Sequence, residues 1–376
     1  MRTLATKLPF LASRPMHHTS ARTAITSLLA GKGFGERGLA LVLAAACGDA
    51  DQQATALRKA ALERADAMPS TATVSYTGEL LIAPIPTSES ALCRQLCPVI
   101  IGQAKDVGLQ LSCLASLVAL WPHVSTAERG LMRQRFLDGV INDSFPAEAQ
   151  LSTTQLIAWQ RELPTSVSEP NASVSSLKCI LSETTAQGAY RVMADHLGMN
   201  ANLPTLSWVL GALAVQVRQR FHDPKRYLLH VLLGTVACER LAAHAQPEHL
   251  ATLLSQLGHQ LWWCSYRADL VPVRTCIDPV TQDFAEAVAS GNLTAAQRAA
   301  RAVAKNPAAF WEQTWKMVEE RIAANDPQWY AALELVLVVS WRTDTHVVSP
   351  DDAAAVGTVL ADLSYRDKNT PHLAVN

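Results

Sequence analysis

The stretch PKRYLLHVLLGTVACERLAAHAQPEHLATLLSQLGHQLWWCSY, residues 224–266, decides the fold. Apolar residues recur in it with helical spacing, and charged residues are few. Pro224 and Pro247 stand at the starts of its two halves. Proline is tolerated in the first helical turn because the N–H that it lacks has no intrahelical acceptor there. The stretch therefore predicts two long helices, 224–245 and 247–266, that pack as antiparallel neighbours.

Helical signals of the same kind recur along most of the chain from Glu36 onward. Ser125 and Glu128 have the spacing of a capping box, which opens one of these helices. The other predicted helices cover residues 35–47, 51–68, 89–105 with a continuation to 120, 125–140, 152–164, 177–197, 204–221, 279–290, 294–306, 307–325, 327–341 and 350–365. About a dozen helices with short connections predict an all-α protein, either an irregular α-solenoid or a multi-helix bundle. No fixed repeat period chooses between the two.

Two stretches interrupt the helical pattern. Residues 69–90 contain β-branched residues, a Thr-Gly turn and prolines, which predict a small hairpin or an extended crossing segment. This segment is a candidate for a loop over a site or for a partner contact. Residues 165–176 are rich in Ser, Pro and Asn, which is typical of a linker. We therefore expect an N-terminal helical domain over 34–164 and a C-terminal helical domain over 177–366.

The N-terminus differs from the rest of the chain in charge. Residues 1–35 contain five basic residues and no acidic one, and many are Ser, Thr or Ala. This composition is typical of an organellar transit peptide. We therefore expect residues 1–33 to be a mitochondrial presequence and the protein to be mitochondrial. The alternative is a disordered tail that happens to lack acidic residues.

The overall composition indicates a protein with covered surfaces. Charged residues make up 17% of the chain, below the roughly 25% typical of soluble domains, so we expect partners to cover part of the exterior. Beyond residue 35 the chain holds 27 basic and 33 acidic residues, and such an acidic body disfavours RNA binding. The uncharged window 107–127 is interrupted by polar residues and by Pro122, so no membrane span is predicted.

Candidate catalytic residues are few. His230 lies in a strongly apolar predicted helix, and His244 follows 14 residues later at a similar helical angle. A helical bundle could gather such histidines around a metal or heme, as helical oxygenases do. However, the Glu-x-x-His pairs of di-iron bundles are missing from the sequence. We therefore predict no catalytic residue, metal or cofactor, and keep His230 and His244 as an alternative.

Other sequence signals for chemistry are equally weak. GFGERG at 33–38 matches G-x-G-x-x-G literally, but the residues before it favour a helix where a nucleotide site needs a strand. Cys93 and Cys97 lie one helical turn apart without the second pair that a zinc site usually needs. We interpret the eight cysteines as buried thiols of the core.

Tryptophan is concentrated toward the C-terminal end. Trp and Tyr are enriched among the residues that anchor protein interfaces, and they also pack helices together. The candidate partner-binding residues are Trp262, Trp263, Trp311, Trp315, Trp329 and Trp341.

These observations predict a non-catalytic helical scaffold or assembly subunit of a mitochondrial multiprotein complex. In architecture and composition alone the chain resembles the helical scaffold proteins of organellar ribosome, RNA-processing and respiratory complexes. Its partners would be other protein subunits of such a complex. The alternatives are a metal- or heme-dependent helical oxygenase and an RNA-binding helical-repeat protein.

Overall fold

The computed structural model describes residues 18–31, 74–142, 145–146, 178–197, 203–218, 221–222, 227–266, 271–272, 283–323 and 350–369, with scattered positions between 34 and 66. This part of the chain is an all-α, multi-helix fold, which confirms the predicted fold class. Its α-helices are α1 His18–Ala30, α2 Glu89–Gln103, α3 Val107–Leu120, α4 Thr126–Ile141, α5 Ala186–Leu197, α6 Leu203–Arg218, α7 Tyr227–Leu241, α8 Pro247–Tyr266, α9 Phe284–Ser290, α10 Leu293–Val303, α11 Pro307–Ala323 and α12 Pro350–Asn369. Short 3-10 helices cover Glu79–Leu81, Trp121–His123 and Lys178–Ser182.

Helices α3, α7 and α8 form the centre of the fold. In α3 every residue except Ala119 is buried, and α8 is buried almost continuously from Leu250 to Cys264. A helix that is apolar on all sides needs neighbours on all sides, and these two helices lack charged residues over their buried stretches. The arrangement is that of a bundle with central helices, since each helix of a solenoid keeps an outer face.

Two glycines allow the closest helix crossing, between α3 and α7. A Cβ atom on Gly108 would lie 2.1 Å from the carbonyl oxygen of His230. A Cβ atom on Gly234 would lie 2.7 Å from the Cα atom of Gly108. Neither position has room for a side chain, so the two backbones touch directly.

Local sequence signals fix several helix ends as predicted. Ser125 and Glu128 form the expected capping box at the start of α4. Pro247, Pro307 and Pro350 are the first residues of α8, α11 and α12. Proline at these positions sacrifices no hydrogen bond, because the first N–H groups of a helix have no intrahelical acceptor.

One short pairing was not predicted. Residues Phe221–His222 (β1) and Val271–Pro272 (β2) form a two-residue antiparallel ladder. The sequence predicted a helix through Phe221, but α6 ends at Arg218. A strand of two residues is too short to show an alternating pattern, so the sequence carries no signal for it.

The N-terminal boundary predicted from composition stays a prediction, but part of the predicted segment is an ordered helix. The predicted presequence or disordered tail covered residues 1–33, yet His18–Ala30 is a helix that packs against α4. Ala21, Ala24, Ile25 and Leu28 are buried on its inner face. Their spacing follows the helical period, and this apolar stripe is what anchors α1. The targeting prediction is untested, and residues 1–17 lie outside the described part.

The predicted division into two domains stays a prediction, because the proposed linker 165–176 lies outside the described residues. A single cluster of buried residues nevertheless runs from Ala21 to Cys264 and joins α1–α4 with α5–α8. The last helices pack chiefly among themselves, with α12 against α9 and α10. Among the described helices, none combines the length and apolar character that crossing a bilayer demands.

Candidate functional site

His230, the strongest candidate from the sequence, lies in a buried polar cluster. Its Nδ1 atom is 2.5 Å from Oδ2 of Asp106, and both side chains are largely buried. The Oδ1 atom of Asp106 accepts a hydrogen bond of 2.9 Å from the Leu109 N–H, which makes Asp106 the N-cap of α3. One carboxylate therefore ties the start of α3 to the first turn of α7.

Two glutamines of α8 complete this cluster. Gln256 Nε2 donates to the Ile101 carbonyl at 2.9 Å, and Gln260 Nε2 donates to the Lys105 carbonyl at 2.7 Å. Gln260 Oε1 accepts from the Gly108 N–H at 3.3 Å. These bonds satisfy backbone groups at the end of α2 and in the link to α3, where helical partners are missing. We call Asp106, His230, Gln256 and Gln260 the inner polar cluster.

The chemistry of the inner polar cluster fits a structural role. A carboxylate that holds Nδ1 of an imidazole can orient it for acid–base work, as in hydrolase triads. Here the same carboxylate also caps α3, and the backbone of His230 presses against Gly108. Apart from Gln256 Oε1, which is buried without a hydrogen-bond partner, the bonds given above pair the cluster with α2, α3, α7 and α8 and so hold these four helices together.

The structure does not bring His230 and His244 together. Helix α7 ends at Leu241, eleven residues after His230, which corresponds to roughly 16 Å along the helix axis. His244 lies beyond that end, in a turn where its N–H donates to the Leu241 carbonyl. Within the described ranges there is no group of three or more His, Cys, Asp or Glu residues placed to hold a metal ion. The oxygenase alternative therefore remains a hypothesis without a ligand set in these ranges.

His259 of α8 is a buried histidine of a different kind. It is 2% exposed, and neither ring nitrogen has a hydrogen-bond partner. Its ring centroid lies 5.2 Å from that of Trp262. Burial lowers the pKa of His259 to about 4, because the charged form would lose its hydration. His259 is therefore neutral at physiological pH.

The predicted tryptophan face is largely internal where it can be described. Trp262 donates from Nε1 to the Glu183 carbonyl at 2.7 Å, and Trp263 contacts Phe145 and Tyr227. Trp262, Trp263 and Trp311 are all buried. Burial within the chain argues against a partner-binding role for these three. The side chain of Trp315, and Trp329 and Trp341, lie outside the described residues.

The segment 74–88, part of the predicted extended stretch, runs antiparallel to α4 and is held to it by hydrogen bonds. At one end Asn142 exchanges hydrogen bonds with the backbone of Val74, whose N–H donates to Asn142 Oδ1 at 3.1 Å. Next along the segment, the Tyr76 N–H donates to Asp138 Oδ1 at 2.8 Å. At the other end Arg129 donates to the Thr87 carbonyl. We call residues 74–88 the strap.

Arg133 of α4 is the main anchor of the strap. Its guanidinium donates to the carbonyls of Leu81, Ala83 and Pro84 at 3.2–3.4 Å and to Gln95 Oε1 at 3.0 Å. The residue is 1% exposed, and burial lowers the pKa of the guanidinium. The planar fork of five N–H donors suits a task that needs several acceptors at once. The strap backbone is consequently fixed by a side chain beneath it.

Several apolar side chains of the strap are exposed. Ile82 is 89% exposed, and Leu81 and Ile85 are also exposed. Leu131 of α4 is exposed beside Gly130, whose position lies against the Ile85 side chain. We call Leu81, Ile82, Ile85 and Leu131 the apolar ridge. A single exposed apolar residue is ordinary, whereas a group of exposed apolar residues is a feature that protein interaction sites share.

Comparison with known proteins found no matching family model, no matching curated protein and no matching solved structure.

Sequence reasoning named His230 and the segment 69–90 but missed Asp106 and Arg133, which bind them. Asp106 stands before an apolar run, so the sequence was enough to predict its role as a helix cap. Its bond to His230 was not predictable, because the two residues are 124 positions apart in the chain. Arg133 gave no sequence signal, because an arginine in an amphipathic helix normally faces water. The run Leu80–Ile85, which carries four consecutive apolar residues before Pro84, was the sequence signal for the ridge.

Proposed function

We propose that this chain is a non-catalytic helical scaffold subunit that binds another protein through the apolar ridge. The observation that carries the proposal is the exposure of Ile82 on a backbone fixed by Arg133. Exposed apolar side chains lose contact with water when a partner covers them, which favours association.

The strap also reduces the cost of binding. Ordering a flexible loop at an interface costs free energy, and a loop already held in place avoids most of that cost. Bonds from Arg133, Asp138 and Asn142 along α4 keep the strap in one conformation before any partner arrives. The ridge is therefore a preorganised surface, which suits an assembly subunit.

The proposed assembly is a mitochondrial multiprotein complex. The acid-free composition of residues 1–17 supports an organellar location. The low charge content of the chain supports a protein whose exterior is partly covered by other subunits. An RNA partner remains disfavoured by the acidic body.

A comparison of two surface variants tests the proposal. Tagged wild-type protein, Ile82→Asp and Tyr266→Ser are recovered from mitochondria, and the co-purified proteins are identified by mass spectrometry. Tyr266 is the matched control, because it is a large exposed side chain at the last residue of α8 and is not part of the ridge. We expect Ile82→Asp to lose at least one stable partner that wild type and Tyr266→Ser retain. Identical partner sets for all three proteins, or no partner at all, would contradict the proposal.

A further inference from the structure

The backbone of the apolar ridge lies over a buried positive charge. The Arg133 guanidinium donates to three carbonyls of residues 81–84 and to Gln95 Oε1, and all four acceptors are neutral oxygens. Burial alone lowers the pKa of this guanidinium. Among the described residues no carboxylate forms an ion pair with Arg133. The described part of the chain therefore supplies no counter-charge for this cation.

The same hydrogen bonds leave one backbone donor of the ridge open. The Pro84 carbonyl accepts from Arg133 at 3.2 Å and from Gln95 at 2.8 Å. The peptide bond that follows is trans, and in a trans peptide the N–H points opposite to the C=O. The Ile85 N–H therefore points away from Arg133 and Gln95, and it has no acceptor among the described residues. Ile85 is itself exposed, so a partner can reach this donor.

The other charged residues of the strap region leave the centre of the ridge positive. Arg129 donates to the Thr87 carbonyl, so a second guanidinium of α4 binds the strap. The acidic residues Glu79 and Glu89 precede and follow the ridge segment in the chain. Charges interact more strongly where apolar groups exclude water. A carboxylate brought to the centre of the ridge is therefore favoured there, and a cation is not.

We infer that the apolar ridge binds an aliphatic, acidic segment of a partner protein, and that one carboxylate of this segment accepts a hydrogen bond from the Ile85 N–H above Arg133. The inference rests on the binding role proposed above. Aliphatic side chains of the partner cover Ile82 and Ile85, and the carboxylate supplies the counter-charge for Arg133. A charge-assisted hydrogen bond is stronger than a neutral one, so the carboxylate adds specificity to the apolar contact.

Three labelled peptides test the charge requirement. They are Glu-Leu-Ile-Glu-Ile-Leu-Glu and the same sequence with Gln or Lys in place of Glu, and their binding to the full-length chain is measured by fluorescence anisotropy. We expect the Glu peptide to bind at least about 10-fold more tightly than the Gln peptide, and the Lys peptide to bind more weakly still. Ile82→Asp should lose the binding of all three.

Three outcomes of the peptide experiment would overturn the inference. These are equal binding of the three peptides, tighter binding of the Lys peptide, and no binding at all. Each of them leaves the proposed binding role standing, because that role fails only if Ile82→Asp keeps every partner that wild type recovers from mitochondria.

A matched pair of arginine variants tests whether the preference comes from the buried charge. Arg133→Met also loosens the strap, so the quantity compared is the ratio of the affinities for the Glu and Gln peptides. A loosened strap weakens both peptides alike, whereas loss of the buried charge removes the preference. We expect the ratio to fall to near unity for Arg133→Met and to keep its wild-type value for Arg94→Met, at an exposed position of α2.

A second pair of variants tests the open donor. Ile85→Pro removes the N–H, and Ile85→Ala shortens the side chain but keeps the N–H. We expect both variants to fold, because this N–H has no acceptor in the described residues and the position already precedes Pro86. We expect Ile85→Pro to bind the Glu peptide at least about 5-fold more weakly than Ile85→Ala. Equal affinities for these two variants, or an unchanged Glu preference in Arg133→Met, would overturn the inference.

Discussion

In both the inner polar cluster and the strap, helix side chains hold a non-helical link, but the first link is buried and the second lies at the surface. In both places side chains from a helix donate to backbone carbonyls of a non-helical link, through Gln260 in one case and Arg133 in the other. In the inner cluster the link is covered by α7 and α8, and the bonds let the core close around it. In the strap the bonds lie beneath the link, and Ile82 remains in water.

The difference separates what holds the fold together from what is available for function. The hydrogen bonds of the inner cluster satisfy buried groups that water cannot reach. Removing one of these bonds therefore lowers the free energy of unfolding by the full cost of an unpaired buried group. Around Leu81–Pro84 the strap can exchange its bonds for water if it opens locally, whereas Tyr76 near its other end is part of the buried core. An ordered apolar surface that the core does not require is the feature that needs a functional explanation.

The largest expected effect is at the crossing of α3 and α7. Gly108→Ala places a Cβ atom against the His230 carbonyl oxygen, a backbone atom that can move only if the helices separate. We expect a loss of about 3 kcal/mol or more in the free energy of unfolding, measured by urea denaturation.

Gly102→Ala is the matched control for this change. Gly102 also lies in a helix, α2, but a Cβ atom there would have no neighbour within 4 Å. We expect it to stabilise the protein by about 0.5–1 kcal/mol, because alanine loses less backbone entropy on folding. If both variants were equally stable, the close approach at Gly108 would not be essential to the core.

A second comparison separates capping from the bond to His230. Asp106 and Asp283 both cap a helix, α3 and α9, but Asp106 is buried and also binds His230. We expect Asp283→Ala to cost about 1 kcal/mol and Asp106→Ala about 2–4 kcal/mol. A double-mutant cycle of Asp106→Ala with His230→Leu should give a coupling energy of about 1 kcal/mol or more. Equal losses of stability for the two variants, with no coupling energy, would show that the bond between Asp106 and His230 does not stabilise the core.

Signals within one helical turn explain why so much of the fold was predictable. The capping box of Ser125 and Glu128 and the prolines that open α8 and α11 act on groups a few residues away. Their effect on the chain is the same in any tertiary setting. The all-α class and several helix starts followed from such local signals.

The sites were not predictable, because they depend on residues far apart in the chain. The bond from Gln260 to Lys105 spans 155 positions, and no periodicity records which helix faces which. Composition also left the packing of α1 unpredicted, because small residues and the lack of acidic residues indicate a presequence or a tail and do not report burial. The burial of the tryptophans was not predictable either. Trp263 is buried, but a tryptophan suits an interface and a core equally well.

The pH dependence of stability tests the inner region through His259. Its pKa is lowered to about 4 in the folded protein, against 6.5 for an ordinary histidine. The unfolded chain therefore takes up a proton at a higher pH than the folded one. The resulting stability is fully present above pH 6.5 and is lost as the pH falls to about 4, by about 2–3 kcal/mol.

His259→Leu is the variant that isolates this contribution. It removes two buried nitrogens that have no hydrogen-bond partner, so we expect little loss of stability at pH 7. Denaturation curves between pH 7 and pH 4 should show a weaker pH dependence for the variant than for wild type. If the two proteins lost stability in parallel, His259 would not be the group responsible.

The smallest effect on global stability is expected for a change at Arg133, which anchors the strap. Arg133→Met keeps the length and packing of the side chain but cannot donate to Leu81, Ala83 and Pro84. We expect the strap to open more often, with about 5- to 30-fold faster hydrogen exchange at the amides of Leu81 and Ile82, which corresponds to about 1–2 kcal/mol. The central helices should exchange at the wild-type rate, and Arg94→Met, at an exposed position of α2, should change neither. If Arg133→Met instead accelerated hydrogen exchange throughout α3 and α8, the strap would unfold together with the core. The strap would then have a structural role, and the proposal of a separate binding surface at Ile82 would lose its support.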